Sequence, residues 1–92
     1  MALFFEWDFV KAKANKEKHK ITFEEASSVF GDENSLTIDD VTHSKDEKRE
    51  ITIGKSVNNH ILVVVHTTRG KNIRIISARK ANQKEKVQYI NL

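Results

Sequence analysis

The apolar residues of this chain switch between a period of two and helical spacing, and the switches mark its elements. In Ala2–Trp7, ALFFEW, alternation predicts a strand with Leu3, Phe5 and Trp7 on one face and Phe4 and Glu6 on the other. Asp8 has the chemistry of an N-cap, and Lys11 to Lys20 holds no Gly, Pro or β-branched residue, so a helix is predicted from Phe9 to Lys20. Val10, Ala14 and Ile21 share a narrow apolar stripe on it. Lys11, Asn15 and Lys18 follow along the edge of that stripe, where they could line a groove; Lys13, Lys16 and Lys20 fall on the solvated side. Thr22 and Glu25 have capping-box spacing and open a second, shorter helix to Phe30, with Gly31 as its stop.

From there the pattern is mainly β. Ser35–Asp39 alternates, and Asp40–Lys48 is a polar loop carrying His43. Arg49–Val57 alternates with Ile51, Ile53 and Val57 inward, and Asn58-Asn59 reads as a two-residue hairpin turn. Ile61–Thr67 is apolar on both faces, the signature of a central strand covered on both sides. A turn at Gly70 leads to a strand over Ile73–Lys80, and Asn82 with Glu85 opens a last helix to Ile90. The order β-α-α-β-β-β-β-α predicts an α+β fold, an antiparallel meander sheet with helices packed on one face.

At 92 residues the chain is a single domain, small enough that a partner subunit could contribute to its stability. It has no Cys, which removes disulfides and thiolate chemistry, and no leader or membrane-spanning run, so a soluble cytoplasmic protein is the default. The net charge of +3 hides a segregation: five lysines and one acid between Lys11 and Lys20, seven basic residues and one acid between Arg69 and Lys86, and nine acids between Glu24 and Glu50. If the two basic segments share a side, that face suits nucleic acid or an acidic protein; otherwise the charges merely solvate helix surfaces.

The four histidines show no metal-ligand spacing, and there is no nucleophile elbow or phosphate-binding glycine loop. No metal and no cofactor is expected. What remains is a basic, hydroxyl-bearing strand: Arg74, Ser77, Arg79 and Lys80 form an anion site at the edge of a small core. Strict alternation puts Arg74, Ile76, Ala78 and Lys80 on one face and Ile73, Ile75, Ser77 and Arg79 on the other. One arginine is then structural, paired to an acid, while Arg79 near the strand end is free to reach outward. Metal-free RNA cleavage needs a base for the 2′-hydroxyl, cationic donors for the phosphorane and an acid for the 5′-oxygen. His19, Arg49, Arg74, Arg79 and Tyr89 are the parts available for it. A lone His near a helix C-terminus, such as His19, is also commonly a dipole-stabilised surface residue.

Taken together, FEWD, KAKANKEKHKITFEEASSVFGD, DDVTHSKDEKREITIG, LVVVHT and RIISARKA with a later Tyr resemble the BrnT family, toxins of type II toxin–antitoxin systems, from Phe5 to Tyr89. The resemblance implies a RelE-like ribonuclease toxin fold, an endoribonuclease that inhibits growth, and neutralisation by a BrnA-type antitoxin. The implied complex is a heterotetramer or larger assembly that binds operator DNA through the antitoxin. The polar positions matching the family are Trp7, Asp8, Lys11, Asn15, Lys18, His19, Glu24, His43, Glu47, Arg49, Arg74, Ser77, Arg79, Lys80 and Tyr89. On chemical grounds Arg74 and Arg79 bind the scissile phosphate, Arg49 assists, His19 is acid or base, and Tyr89 is a second candidate for that role. Lys11, Lys18, Lys80 and Ser77 hold the RNA backbone. The alternative is a non-catalytic basic module that docks an acidic protein segment or nucleic acid. Three departures from the family pattern stand out: Lys20 where a Gly commonly follows the KH pair, no Pro after Phe30, and a last helix poor in Arg.

Overall fold

Three side-chain caps set the starts of the three α-helices. In the computed structural model, which describes residues 3–41 and 47–91, Asp8 Oδ2 accepts from the Lys11 N–H at 3.0 Å. Thr22 Oγ1 accepts from Glu25 N at 3.0 Å, and Asn82 Oδ1 from Glu85 N at 2.9 Å. They open α1 (Phe9–His19), α2 (Phe23–Ser27) and α3 (Gln83–Ile90). Only at α3 is the capping box reciprocal, with Glu85 accepting from Asn82 N. The expected box at α2 is half made, because the Glu25 carboxylate turns to Ser56 and His60 instead. A 3₁₀ turn, Ser28–Gly31, follows α2. His43 lies outside the described residues.

The five strands are β1 (Phe4–Trp7), β2 (Leu36–Asp39), β3 (Arg49–Lys55), β4 (Ile61–Arg69) and β5 (Asn72–Lys80), in the spatial order β1-β5-β4-β3-β2. β2 to β5 form the expected antiparallel meander, but β1 pairs in parallel with β5, so the sheet is mixed. β4 is central, as its two-sided apolar pattern predicts. Leu62 and Val64 pack under α1 and α2 with Phe23, Ala26, Ile75 and Ala78. Val63 packs on the other face with Ile53 and Ala81, against Tyr89 of α3. Helices therefore cover both faces, not one. A central strand with apolar residues on both sides requires this.

Two residues expected in the core are outside it. Val10 and Val57 are 73% and 75% exposed. On α1 a polar contact sets the buried face: the amide of Asn15 donates to Ala78 O at 2.8 Å and to Ile21 O at 3.0 Å, and its oxygen accepts from Ala78 N at 3.0 Å. Asn15 thus stands in for a neighbouring strand on the edge of β5, and rotates Ala12 rather than Val10 toward the core. Val57 is lost to the turn, which runs through residues 56–60 rather than two asparagines. Ser56 N donates to His60 O, Asn59 N to Ser56 O, and Asn59 takes a φ of 63°. The last residue of the first basic segment, Lys20, caps α1 with φ 64° and ψ 23°, its N–H on Lys16 O. This left-handed conformation is the one a glycine adopts without strain. Among the described residues no helix is long and apolar enough to cross a membrane.

Candidate functional site

The site is created by one extra residue in β5. Val65 faces Ser77 and His66 faces Ile75, so one step along β4 spans two along β5, and Ile76 is a bulge. The bulge breaks the alternation. Ile75 and Ala78 both enter the core on the α1–α2 side, at 1% and 0% exposure. Arg74, Ser77 and Arg79 share the opposite face, opposite Thr67, Val65 and Val63. The expectation that the two arginines lie on different faces is thereby corrected.

α3 covers only part of that opposite face. Beyond it lies a groove of about 310 Å³ lined by Asp40, Arg49, Ile51, Val63, Val65, Ile76, Ser77 and Arg79. Ile76 and Ser77 also line a second depression of about 230 Å³, with Lys11, Ala14, Asn15, Lys18 and His19 from α1. The two hollows meet at the bulge. β1 makes this possible by stopping early: its last pairing is Trp7 with Ile75, and from Ile76 onward the edge of β5 is given to α1. Six residues proposed from the sequence are thus brought to one surface: Lys11, Lys18, His19, Arg49, Ser77 and Arg79. Asp40, which the sequence pattern puts in a polar loop, joins them; it is buried, and its N–H donates to Arg49 O at 2.8 Å. Its sole signal was its place after an alternating strand.

Arg79 is not free to reach outward as expected. It forks onto Glu85, Nη1 to Oε1 at 2.8 Å and Nη2 to Oε2 at 2.7 Å. These bonds hold the Glu85 carboxyl below the usual carboxylate range and raise Arg79 further above its ordinary value. Nη1 also donates to Lys80 O at 3.3 Å. A guanidinium has five N–H donors, so a second Nη2 hydrogen and Nε–H are left for an anion.

Three proposed residues are elsewhere. Arg74 is on the groove's face but forms an ion pair with Glu6, Nη1 to Oε2 at 2.8 Å, and does not line the groove. Hydrogen bonds from Asn72 and Arg74 lower the Glu6 carboxyl. Tyr89 is at the other end of the sheet, donating to Asp32 Oδ2 at 2.6 Å, a bond that pushes its phenol up to about 12. Such a phenol is a poor proton donor at neutral pH. Lys80, one residue past Arg79 and on the alternate face, lines a different hollow with His60 and Lys86. Among the described residues no group of three His, Cys, Asp or Glu side chains could hold a metal ion.

Residues 7–85 match the family model described as the ribonuclease toxin, BrnT, of type II toxin–antitoxin systems. The fold is similar to that of the crystal structure of the Brucella abortus ribonuclease toxin, BrnT, at a TM-score of 0.68 and 22% identity over 89% of this chain and 100% of that one. No curated protein sequence matches the chain.

Proposed function

The chain belongs to the BrnT family of ribonuclease toxins of type II toxin–antitoxin systems, and from that premise we propose that it cleaves RNA without a metal ion in the groove that the β5 bulge opens. The observation that carries this is the meeting of the two hollows at Ile76 and Ser77, which sets the cations of α1 beside the arginines of the sheet. In this reading Arg79 and Arg49 donate to the non-bridging oxygens of the scissile phosphate, where charge builds in the transition state. The 2′-hydroxyl attacks the adjacent phosphorus, the 5′-oxygen leaves, and a 2′,3′-cyclic phosphate remains. His19 moves the proton at one of these two oxygens. Lys11 and Lys18 attract the strand, and Ser77 offers a hydroxyl to its backbone. Growth arrest follows from loss of RNA, in the cytoplasm, and a BrnA-type antitoxin relieves it within an assembly that binds operator DNA through the antitoxin. A RelE-like relationship fits the same layout of helices on a mixed sheet.

The test is incubation of the purified chain with total RNA in EDTA. Cleavage with 2′,3′-cyclic ends under chelation is expected. Cleavage only after a divalent metal is restored would sink the metal-free mechanism. A second reading, a non-catalytic docking module, has one observation in its favour. Phe9 is 80% exposed beside a depression of about 420 Å³ lined by Trp7, Phe23, Lys13 and Lys16, a surface suited to an acidic segment with an apolar anchor. Absence of cleavage at any metal content would favour it.

A further inference from the structure

A second cationic hollow lies away from the groove, at the β3–β4 turn. It has a volume of about 300 Å³ and is lined by Asn59, His60, Ile61, Lys80 and Lys86. Three elements meet there: the turn supplies His60, the end of β5 supplies Lys80, and α3 supplies Lys86. The histidine is held from behind. Glu25 Oε2, on α2, lies 2.8 Å from His60 Nδ1 and accepts from Ser56 Oγ at 2.6 Å. Ser56 is 5% exposed, and its hydroxyl oxygen also accepts from Asn58 N and His60 N at 3.3 Å, which fixes the turn to the carboxylate. Burial pushes the Glu25 carboxyl up, but hydrogen bonds from Ser56, His60 and Asn58 outweigh it and keep it ionised.

A carboxylate on Nδ1 places the proton there and leaves Nε2 as the ring's second polar atom, the arrangement that orients a histidine toward a ligand. Among the described residues Nε2 makes no hydrogen bond, and neither lysine ammonium has a carboxylate partner. The hollow therefore presents two ammonium groups without a carboxylate partner among the described residues and an oriented imidazole, with Glu25 turned onto Ser56 and His60 behind it. Such a set matches an anion with several oxygens rather than a metal ion, which the lysines repel.

We propose that His60, Lys80 and Lys86 form a phosphate-binding site separate from the bulge groove, with Glu25 as the residue that positions the imidazole. The site does not depend on RNA cleavage and would stand if the chain proved inactive. Its ligand is a phosphate group, either on a nucleic-acid strand or free.

The experiment is an NMR titration of the full chain, following the His60 ring and the Lys80 and Lys86 side-chain signals. One arm adds inorganic phosphate, and the other a short 2′-deoxy oligonucleotide, which cannot be cleaved through a 2′-hydroxyl. Saturable shifts at all three residues are expected, weakened at least tenfold in the Lys80→Ala/Lys86→Ala double variant. Both lysines are at the surface, so the fold survives their loss. The His60→Asn variant keeps a donor for Glu25 and removes Nε2, and it should weaken binding while leaving thermal unfolding unchanged. Tenfold tighter binding of the oligonucleotide identifies a strand as the source of the phosphate, and equal binding identifies a free phosphate. Lack of saturation in both arms, or shifts that persist undiminished in the double variant, overturns the site. RNA cleavage measured on the same variants should be reduced no more than severalfold, so failure here and failure of the groove mechanism are read on different assays.

Discussion

The two ends of one sheet face differ: a helix closes one and leaves the other open. At one end α3 lies over Ile53, Ile61 and Val63, and Tyr89 fastens it to Asp32, whose other oxygen-directed partners are backbone N–H groups of Lys55 and Asn34. At the other end the helix is gone, and Ile51, Val65 and Ser77 floor an open groove flanked by Arg49 and Arg79. Polar groups occur at both ends. At the closed end they complete one another. At the open end the cations outnumber the acids, since Lys11, Lys18 and Arg49 line the two hollows beside an Arg79 paired to Glu85 and a buried Asp40. Chemistry on an anion belongs at the second kind of place, and rigidity at the first.

The sharpest way to break this comparison is Arg79→Ala. Loss of one donor to a developing oxyanion costs about a hundred- to a thousandfold in rate, so RNA cleavage should fall by that much with the fold intact. A variant that cleaves at the parental rate would move the site out of the groove. Next comes Asn15→Ala, which removes a wall of the open end rather than a charge. It leaves the Ala78 N–H and C=O buried without partners, and thermal or urea unfolding should show a loss of about 3 kcal/mol. An unchanged midpoint would mean that α1 holds its place on β5 without the amide.

Tyr89→Phe addresses the closed end. One hydrogen bond to a carboxylate is lost, partly exposed, for a destabilisation of about 1 kcal/mol. Cleavage should be unaffected; a drop in rate beyond the loss of folded protein would restore Tyr89 to the chemistry. The same bond has a pH signature. Tyr89 is raised to about 12 in the folded chain, against about 10 for a free phenol. Its contribution is complete below 10 and disappears as pH rises toward 12, so Tyr89→Phe should lose part of the parent's alkaline sensitivity. The smallest effect is a gain. Lys20→Gly relieves a β-carbon from the left-handed region and should stabilise the chain by about 0.5–1 kcal/mol, read as a higher melting temperature.

Much of this was legible in the sequence where the cause is local. Asp8, Thr22 and Asn82 announce the helix starts because a cap is made within three residues of itself. The two-sided apolar run of Ile61–Thr67 places β4 at the centre for an equally short-range reason. The misreadings share a different cause. Ile75 and Ile76 are adjacent and equally apolar, so nothing in NIRIISARK marks which residue is surplus, and strict alternation puts Arg74 and Arg79 on opposite faces. Tyr89 depends on which side of the sheet α3 takes after Lys80, which is settled by packing on Val63 and Ile53, far along the chain. Asn15 reads as a groove residue but is buried, because its partners on Ala78 lie 63 positions away.

The bulge has a consequence for how this segment tolerates change in length. Between Ile75 and Ala78 two residues occupy the space that one would fill in a regular ladder. Deleting either of them would restore a regular ladder without turning its neighbours over: Ile75 and Ala78 would stay in the core, opposite His66 and Val64, and Arg74 would stay opposite Thr67. Glu6 would keep its guanidinium, and the two hollows would share one lining residue of β5 where they now share two. Substitution at Ile76 changes the lining of both hollows; deletion there removes that lining residue and straightens the strand. A one-residue gap elsewhere in β5 would turn half of the strand over; at the bulge it leaves every remaining side chain on its own face.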